Sequence, residues 1–394
     1  MMTTQLAHEL EALLAEDPAE SVRRATEPLG GVGEGARRLV LYGAGTLGRA
    51  VLARLRRAGV EPAAFADDTP GKQGQTVEGV PVMTPPQAAR EFGPDLVFVV
   101  TILNPALRFL DARERLESQT GAPAVSYLNA AWKWPDAFLP LYQFELPADV
   151  REHAAEIREA FALFADEESR RQFVAHLRFR LRLDYAALPE NSRDDYFPAG
   201  LLPPLPADAV FVDCGAFDGD TLRRFLAEQG GRFGAAYAFE PDADNFERLR
   251  AYAGTLAEEA AARVHLFRAG VGARRARLRF NATGNMGASL SAEGVTEIDV
   301  LPLSEVVEAR GRAVYVKYDV EGAEWEALAG AEALIRSARP TLAVSVYHRP
   351  DDLWLLPLRL RELDPGYRLH LRTQGEDGMD VICYAVPEEV MGDG

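Results

Sequence analysis

A glycine-containing turn with several carboxylates lies in the second half of the sequence. In VFVDCGAFDGDTLRRF, Asp213 ends an apolar strand pattern and Gly215 lies in the turn. Asp218, Asp220 and Thr221 follow at the predicted start of a helix. Ligands of doubly wound sheets bind at this carboxyl edge of the strands. Because carboxylates repel a pyrophosphate, the aspartates favour a ligand with a cationic part, and S-adenosylmethionine, with its positive sulfonium and amino groups, has this chemistry.

A second acidic position follows one strand–helix unit later. The stretch AAYAFEP places Glu240 at the end of a strand, where a carboxylate can accept hydrogen bonds from both hydroxyls of a ribose. A glycine turn followed by such a carboxylate is typical of nucleoside binding. The same pair would also suit NAD, and an Asp-containing turn can be only a helix cap.

A third group of charged residues lies in YVKYDVEGAEWEALAGAEALI. Lys317, Asp319 and Glu321 fall at the end of a strand, and Glu324 lies on the first turn of the next helix. Strand alternation puts Lys317 and Asp319 on one face. A structural ion pair is one interpretation of such a cluster, and a catalytic group at the cofactor edge of the sheet is the other.

These motifs resemble the FkbM-family S-adenosylmethionine-dependent methyltransferases. The resemblance covers roughly residues 190–386 and rests on VDCGAFDGDT, FEPD, VKYDVEGAEWEAL and AVSVYHRPDDLW, in that order. It implies transfer of a methyl group to a hydroxyl of a sugar, glycan or natural product, with S-adenosylhomocysteine as the product. One departure is PLSEVV, where Ser304 stands in place of an expected Asp, which puts a ligand contact at this position in doubt although Glu305 could substitute.

The resemblance assigns candidate site residues. The candidate cofactor-binding residues are Asp213, Gly215, Ala216, Phe217, Asp218, Thr221, Glu240 and Pro241. The candidate catalytic residues are Lys317, Asp319, Glu321 and His348. Asp319 and His348 are alternative general bases for the proton of the acceptor hydroxyl, and a histidine hydrogen-bonded in a loop is the other interpretation of His348. Asp319, Glu321 and Glu324 are compatible with Mg²⁺, but their spacing does not require it and no metal is predicted.

A weaker nucleotide-binding motif lies near the N-terminus. GAGTLG fits GxGxxG through Gly43, Gly45 and Gly48, between a strand and a helix, and Asp67 ends the next strand. The following stretch, DDTPGKQGQTVEGVPVMTPPQA, resembles the Rossmann modules found before sugar acyltransferases and in capsule-polysaccharide proteins. An NAD site, a nucleotide-sugar site and a vestigial fold remain open, and we favour nucleotide or nucleotide-sugar binding without redox chemistry.

The N-terminal motif leaves a second class of function open. The chain could be an NAD(P)- or nucleotide-sugar-binding oxidoreductase or sensor whose methyltransferase-like domain is a binding module. Against a redox enzyme, residues 36–135 contain no YxxxK-type pair, and Lys72 and Lys133 lack a tyrosine at that spacing. A non-enzymatic scaffold would need none of the charged groups described above, which argues against that interpretation.

These motifs require alternating strands and helices, so the sequence predicts an α/β protein with two doubly wound Rossmann-like domains. The first predicted domain, residues 1–135, consists of a leading helix within 1–27 and a Rossmann-like domain. A helical connector or lid is predicted for 136–205, and a class I methyltransferase fold for 206–394. YRLHLRT and DVICYAV predict a terminal antiparallel hairpin. The connector sequence DDYFPAG is expected to bring Tyr196 and Phe197 near the cofactor.

Composition limits the partners of the chain. The 394 residues contain 43 Lys and Arg against 60 Asp and Glu, a net charge of −17, which disfavours nucleic-acid binding. Cys214 and Cys383 lie in apolar stretches without metal-ligand spacing and are expected to be buried thiols. Without an apolar run of about 18 residues or a basic leader, the sequence predicts a cytoplasmic protein with no membrane span. The scarcity of Lys relative to Arg is typical of a GC-rich bacterium.

Overall fold

The computed structural model describes residues 2–102, 107–192, 196–202, 204–281, 289–290 and 296–388. The chain forms two compact units. The first unit consists of Met1–Ala154, Arg171–Glu190 and Gly375–Met379. The second unit consists of Ala155–Arg170, Asn191–Gln374 and Asp380–Gly394. Residues of the predicted connector, 136–205, are thus shared between the units.

The first unit contains a six-stranded sheet. Its strands are β1 (Arg38–Tyr42), β2 (Ala64–Ala66), β3 (Thr76–Val77), β4 (Val80–Met83), β5 (Leu96–Val100) and β6 (Ala124–Ser126). The order is β3-β4-β2-β1-β5-β6, and every pair except the antiparallel β3–β4 is parallel. All residues of β5 are buried, as expected for a parallel strand covered on both faces. The predicted doubly wound α/β arrangement of this unit is confirmed.

Helices surround this sheet. They are α1 (Met2–Ala15), α2 (Pro18–Thr26), α3 (Thr46–Arg57), α4 (Pro85–Phe92), α5 (Phe109–Thr120), α6 (Tyr127–Lys133), α7 (Pro135–Phe138) and α8 (Pro147–Glu152). The expectation of one leading helix within 1–27 is wrong, because α1 ends at Ala15 and a new helix starts at Pro18. Pro18 has no N–H to continue the helix, and the Asp17 side chain accepts a hydrogen bond from Ala19 N, which caps α2.

Two further helices, α9 (Ala154–Leu163) and α10 (Glu167–Arg182), occupy the tract that the sequence predicts as helical. The interruption between them has a structural cause within the second unit. Phe164 forms a β-bridge with Leu369, and Ala165 N donates a hydrogen bond to Leu369 O at 2.8 Å. The backbone leaves helical geometry here because its polar groups pair with a strand instead.

The second unit contains a seven-stranded sheet. Its strands are β7 (Val210–Cys214), β8 (Ala235–Phe239), β9 (Val264–Phe267), β14 (Val314–Tyr318), β15 (Thr341–Ser345), β16 (Tyr367–Thr373) and β17 (Val381–Pro387). The order is β16-β17-β15-β14-β7-β8-β9, with β17 antiparallel to both of its neighbours and the other pairs parallel. The predicted terminal hairpin is confirmed as β16–β17.

The helices of the second unit follow its strands along the chain. They are α11 (Asp220–Glu228), α12 (Ala243–Ala253), α13 (Glu258–Ala261), α14 (Leu303–Val306), α15 (Glu324–Gly330), α16 (Glu332–Ala338) and α17 (Asp352–Leu363). Strand β7 lies between β8 and β14, so the chain order reverses at β7. In doubly wound sheets such a reversal opens a crevice at the carboxyl ends of the strands, where ligands bind.

A second, four-stranded sheet in this unit was not predicted. Its strands are β10 (Gly270–Val271), β11 (Ala276–Asn281), β12 (Ser289–Leu290) and β13 (Thr296–Leu301), in the order β10-β13-β11-β12. The alternation in ARLRFN and TEIDVL is the sequence signal for it, since a strand with one covered face alternates polar and apolar residues.

Candidate functional site at the carboxyl edge of the second sheet

A buried ion pair joins the ends of β7 and β14. These strands are parallel neighbours with Asp213 opposite Lys317, and Lys317 Nζ lies 3.1 Å from Asp213 Oδ1. Lys317 Nζ also donates a hydrogen bond to Gly215 O at 2.6 Å. Burial raises the pKa of Asp213 to about 6. Burial alone would lower the pKa of Lys317, but nearby carboxylates, Asp213 foremost, raise it above its ordinary value, so Lys317 is a cation that fixes the glycine turn.

The glycine turn itself is shaped by the approach of the two strand ends. Gly215 has φ +81°, and a Cβ at this position would lie 1.9 Å from Asp319 O. Asp319 N donates to Cys214 O at 3.1 Å, and Gly215 N and Ala216 N both donate to Phe239 O. The glycine is therefore required by the backbone of β14, and Ala216 is fully buried beside it.

Glu240 lies immediately after β8, where the sequence predicts a ribose ligand. Its Oε2 accepts a hydrogen bond from Phe217 N at 2.9 Å and its Oε1 accepts one from Asp242 N at 2.8 Å. The side chain is almost fully buried, and burial raises its pKa to about 7. An ionised carboxylate has about four lone-pair positions, so two remain for a ligand. Pro241 follows and is half-buried.

The remaining predicted cofactor residues make local contacts. Asp218 Oδ1 accepts a hydrogen bond from Arg223 Nη2 at 3.0 Å. Thr221 N donates to Asp220 Oδ1 at 2.6 Å, within the first turn of α11. These residues lie at the entrance to α11, and their described contacts stabilise the turn and the helix start.

His348 is enclosed by carboxylates just beyond β15. Its Nδ1 lies 2.8 Å from Glu324 Oε1, in the first turn of α15. Its Nε2 lies 3.3 Å from Asp319 Oδ1 and 3.9 Å from Glu321 Oε2. The side chains of His348 and Glu324 are 2% and 1% exposed. The structure thus brings three of the four predicted catalytic residues together, and the fourth, Lys317, has its Nζ 4.0 Å from Asp319 Oδ2.

The electrostatics of this cluster differ from the simplest expectation for a histidine base. Burial alone would lower the pKa of His348, but Glu324, Asp319 and Glu321 raise it to about 10. At neutral pH, and without another cation, the imidazole is therefore protonated and has no lone pair with which to accept a proton. Burial raises the pKa of Glu321 to about 8. Asp319 has a lowered pKa, because the cations of Lys317 and His348 outweigh its burial.

Hydroxyl groups complete the surroundings of Asp319. Tyr196 Oη donates to Asp319 Oδ2 at 2.9 Å, and the Tyr196 ring lies against Lys317 Nζ, 5.2 Å from the ring centroid. Ser345 Oγ donates to Asp319 Oδ1 at 3.2 Å. Sequence reasoning placed Tyr196 near the cofactor but missed Ser345 and Tyr347, whose hydroxyl lies 3.5 Å from the same oxygen. The sequence signal for Ser345 and Tyr347 was their position, at the end of a central strand and just after it.

Asp352 is a further carboxylate that sequence reasoning missed. It lies in the first turn of α17 and accepts a hydrogen bond from Arg349 N at 2.7 Å. Burial, followed by the nearby Glu324 carboxylate, raises its pKa to about 7. The repeated acids in HRPDDL were the available signal.

Three residues at this edge have left-handed backbone without being glycine. They are Tyr196 (φ 70°), Phe217 (φ 46°) and Glu321 (φ 53°). Such conformations cost on the order of 1–3 kcal/mol each and persist where the surrounding structure enforces them, which is common at binding and catalytic sites.

Ser304 and Glu305 take no part in this cluster. Ser304 Oγ accepts a hydrogen bond from Leu334 N at 3.2 Å, at the start of α16. Glu305 pairs with Arg275 on the surface. Ser304 therefore has a structural contact, and the described contacts of Glu305 do not make it a substitute ligand.

The glycines of the first unit have different local roles. A Cβ on Gly43 would lie 2.6 Å from Ile102, and a Cβ on Gly48 would lie 2.0 Å from Gly43 O, so both are required by close packing of β1 and α3. A Cβ on Gly45 would meet no described atom within 4 Å. Of the three glycines in the GxGxxG motif, Gly45 is therefore the one with open space at its Cβ position among the described residues.

Asp67 lies directly after β2, beside the same glycine turn. Its Oδ2 accepts hydrogen bonds from Ala44 N at 2.9 Å and Lys72 Nζ at 2.8 Å, and its Oδ1 accepts one from Thr69 N at 2.9 Å. Although burial acts in the opposite direction, these hydrogen bonds lower the pKa of Asp67 to about 2. The carboxylate is therefore ionised and held against the turn.

Two expectations about the whole chain are also settled among the described residues. Cys214 and Cys383 are both free and buried, as expected. Within the described part of the chain, no helix combines the length and the apolar character needed to cross a bilayer.

Comparisons with known proteins agree with this arrangement. Residues 213–374 match the profile of the Methyltransferase FkbM domain. The crystal structure of Methyltransferase FkbM from Methylobacillus flagellatus KT has a TM-score of 0.78 and 24% sequence identity, with 98% of this chain and 99% of that chain covered. At this identity the likeness shows the fold. No significant match was found among curated proteins.

Two other solved structures have lower similarity. An rRNA methylase from Streptococcus thermophilus is 13% identical, with a TM-score of 0.30 and coverage of 47% of this chain and 89% of that chain. A SAM-dependent methyltransferase from Aquifex aeolicus is 15% identical, with a TM-score of 0.27 and coverage of 47% and 84%. The domain profile and the edge of β7, β8 and β14 together lead to one conclusion: this chain is a methyltransferase whose residues 213–374 match the Methyltransferase FkbM domain.

Proposed function

We propose that the second unit binds S-adenosylmethionine and transfers its methyl group to a hydroxyl of a small molecule or glycan. The observation that carries this proposal is Glu240, a buried carboxylate at the tip of β8, next to the reversal of strand order. Two backbone N–H groups fix its position and leave lone pairs for both hydroxyls of a ribose.

The other cofactor residues would act mainly through the backbone. Gly215, Ala216 and Phe217 form the turn that the cofactor would approach, with Asp218 and Thr221 at its far end and Pro241 beside Glu240. Asp213 is fully buried, so we assign it a positioning role: it holds Lys317, which in turn holds Gly215 O. S-adenosylmethionine supplies the electrophilic methyl group.

For the reaction, an acceptor hydroxyl oxygen forms a bond to the methyl carbon as the carbon–sulfur bond breaks. The electron pair goes to sulfur, which gives S-adenosylhomocysteine, and the hydroxyl proton must leave. We assign proton acceptance to Asp319, because it is ionised and partly exposed, with its side chain 27% accessible. His348 would orient Asp319, and Glu321 would face the acceptor. Positioning of this kind contributes about 7–11 kcal/mol to a barrier.

For the first unit we propose binding of a nucleotide or nucleotide sugar without redox chemistry. The open space at Gly45 and the partly exposed side chain of Lys72, whose ammonium is paired with Asp67, support it, because a phosphate could approach the start of α3 there. A nucleotide sugar bound here would be a source of the acceptor.

The cofactor assignment is tested by calorimetric titration with S-adenosylhomocysteine. Glu240→Ala is expected to weaken binding at least 100-fold while leaving the unfolding temperature of the free protein close to that of the wild type. Glu228→Gln, on the surface of α11 and paired with Arg224, is the matched control and should bind normally. Equal affinity of Glu240→Ala and wild type would refute the ribose assignment.

Transfer itself is followed with S-adenosylmethionine labelled in the methyl group. Label appearing as a methyl ether on a sugar or glycan acceptor supports the proposal. Label found on a nitrogen or carbon atom of the acceptor would still support methyl transfer, but it would refute the proposal that the acceptor group is a hydroxyl.

A further inference from the structure

An imidazole and several carboxylates converge at the carboxyl edge of β14 and β15. We propose that His348, Asp319 and Glu321 bind one divalent first-row metal ion and that Glu324 orients His348 for this purpose. The catalytic role of the ion rests on the proposed function above, whereas the binding of the ion does not.

The first support is an unpartnered nitrogen. His348 Nε2 is buried and makes no hydrogen bond to any described residue, although it faces Asp319 Oδ1 and Glu321 Oε2. The other ring nitrogen, Nδ1, lies 2.8 Å from Glu324 Oε1. A carboxylate on one nitrogen with the second nitrogen left for a metal is the recurrent arrangement that fixes the tautomer of a metal-binding histidine.

The second support is the spacing of the donor atoms. Nε2 is 3.3 Å from Asp319 Oδ1 and 3.9 Å from Glu321 Oε2. Ligands at about 2.0–2.2 Å from one ion are themselves about 3–3.5 Å apart, so each of these two oxygens lies near the separation from Nε2 that a shared ion requires. Asp319 and His348 also offer binding atoms that lie within 4.8 Å of each other and of a Glu324 oxygen, which places the orienting carboxylate in the same cluster.

The third support is the number of carboxylates around the histidine. Three carboxylates, those of Asp319, Glu321 and Glu324, lie within 4 Å of the ring nitrogens of His348. The ammonium of Lys317, 4.0 Å from Asp319, is already paired with Asp213. A divalent cation would take its anionic ligands from this group of carboxylates.

The donor set indicates the class of metal. One imidazole nitrogen and two carboxylate oxygens suit Mn²⁺ or Zn²⁺ better than Ca²⁺, which prefers oxygen ligands alone. Three protein ligands leave positions open, and an acceptor hydroxyl in one of them would lose its proton more readily. Asp319 would bind through Oδ1, and Oδ2, which already accepts a hydrogen bond from Tyr196 Oη, would keep a second lone pair for that proton.

The test is a titration of chelator-treated full-length protein with MnCl₂, with free Mn²⁺ read by electron paramagnetic resonance. We expect one ion per wild-type chain. His348→Gln and Glu321→Gln should each weaken binding at least 100-fold, and Glu324→Gln about 10–100-fold, as is typical when the carboxylate behind a ligating histidine is lost. Glu332→Gln, a surface residue paired with Arg336, is the matched control and should bind one ion.

Folding is checked by circular dichroism, and Glu321→Gln keeps the test decisive if His348→Gln does not fold, because the Glu321 side chain is 22% exposed. Titration with S-adenosylhomocysteine in parallel separates the two proposals. If the wild type binds S-adenosylhomocysteine but no Mn²⁺ or Zn²⁺, the metal site is refuted and the cofactor site stands. If Glu240→Ala loses S-adenosylhomocysteine and keeps Mn²⁺, both proposals are supported.

Discussion

At the scale of single residues, the site shows how burial and neighbours assign different charges to similar groups. Asp319 and Glu321 are two residues apart, yet the pKa of Asp319 is lowered by Lys317 and His348, whereas burial raises the pKa of Glu321 to about 8. The sequence predicts that these residues meet. It does not predict their protonation, because that depends on Glu324 and on Tyr196, which arrive from other elements.

The ionised state of Asp319 leads to a kinetic prediction. Asp319→Asn keeps the shape of the side chain but removes its ability to accept a proton. Turnover is expected to fall by about 10²–10⁴-fold, the usual contribution of a general base. Affinity for S-adenosylhomocysteine should be unchanged, as measured by calorimetry. Unaltered turnover in Asp319→Asn would show that another group accepts the proton of the acceptor hydroxyl.

The raised pKa of Glu321 leads to a prediction about stability and pH. Its carboxyl has a pKa of about 8 in the folded protein against 4.5 as the ordinary value. The stabilisation from this difference is present below pH 4.5 and is lost as the pH rises through 8. Without metal, the unfolding temperature of the wild type should therefore fall between pH 6 and 9.

Glu321→Gln cannot ionise, so its unfolding temperature should fall less over the same range and exceed that of the wild type at pH 9. Differential scanning calorimetry in chelator-containing buffer measures both. Parallel curves for the two proteins would contradict the assignment of the pH dependence to Glu321.

At the scale of elements, each unit has a glycine turn whose backbone N–H contacts an acidic residue at the end of the next strand. In the first, Ala44 N of the glycine turn donates to Asp67 after β2; in the second, Phe217 N donates to Glu240 after β8. The positions of the glycine turn and the acidic residue could be predicted from sequence, since the apolar strand, the glycine and the acid lie at regular intervals. The sheet formed by β10–β13 could not, because its short strands depend on pairing across a long segment.

The close approach of β7 and β14 gives a prediction with a matched control. Gly215→Ala puts a Cβ 1.9 Å from Asp319 O, whereas Gly230, with φ +58°, has no described atom within 4 Å of its Cβ position. Gly230→Ala should cost about 1–2 kcal/mol, the cost of left-handed backbone alone. Gly215→Ala should cost clearly more, up to loss of folding. Denaturant unfolding compares them, and equal costs would show that the strand ends separate easily.

At the scale of the whole molecule, the chain combines two sheets that each reverse their strand order beside a glycine turn. A ligand site in the first unit predicts a selective effect of Gly45→Val. Its Cβ position is free of described atoms, so the protein should fold normally, but the added side chain would block an approaching nucleotide. In thermal-shift measurements the variant should lose any stabilisation by UDP-, GDP- or dTDP-sugars and keep that by S-adenosylhomocysteine.

If no sugar nucleotide and no NAD(P)(H) stabilises the wild type, the first unit has no such ligand, and the glycine turn serves packing through Gly43 and Gly48. If NAD(H) stabilises it and S-adenosylhomocysteine does not, the oxidoreductase alternative replaces the proposed function.

The bridge between Phe164 and Leu369 has a consequence for how the gene can be divided. Asp166 on the same segment also contacts His370 and Arg372, at 2.6 and 2.9 Å, so residues 155–170 pair with β16 although nearly 200 residues separate them in sequence. The hairpin loop Gly375–Met379 belongs in turn to the first unit. Neither unit is therefore encoded by one uninterrupted stretch of codons, and a fragment starting at residue 206 would leave the outer strand of its sheet without the segment that covers its backbone.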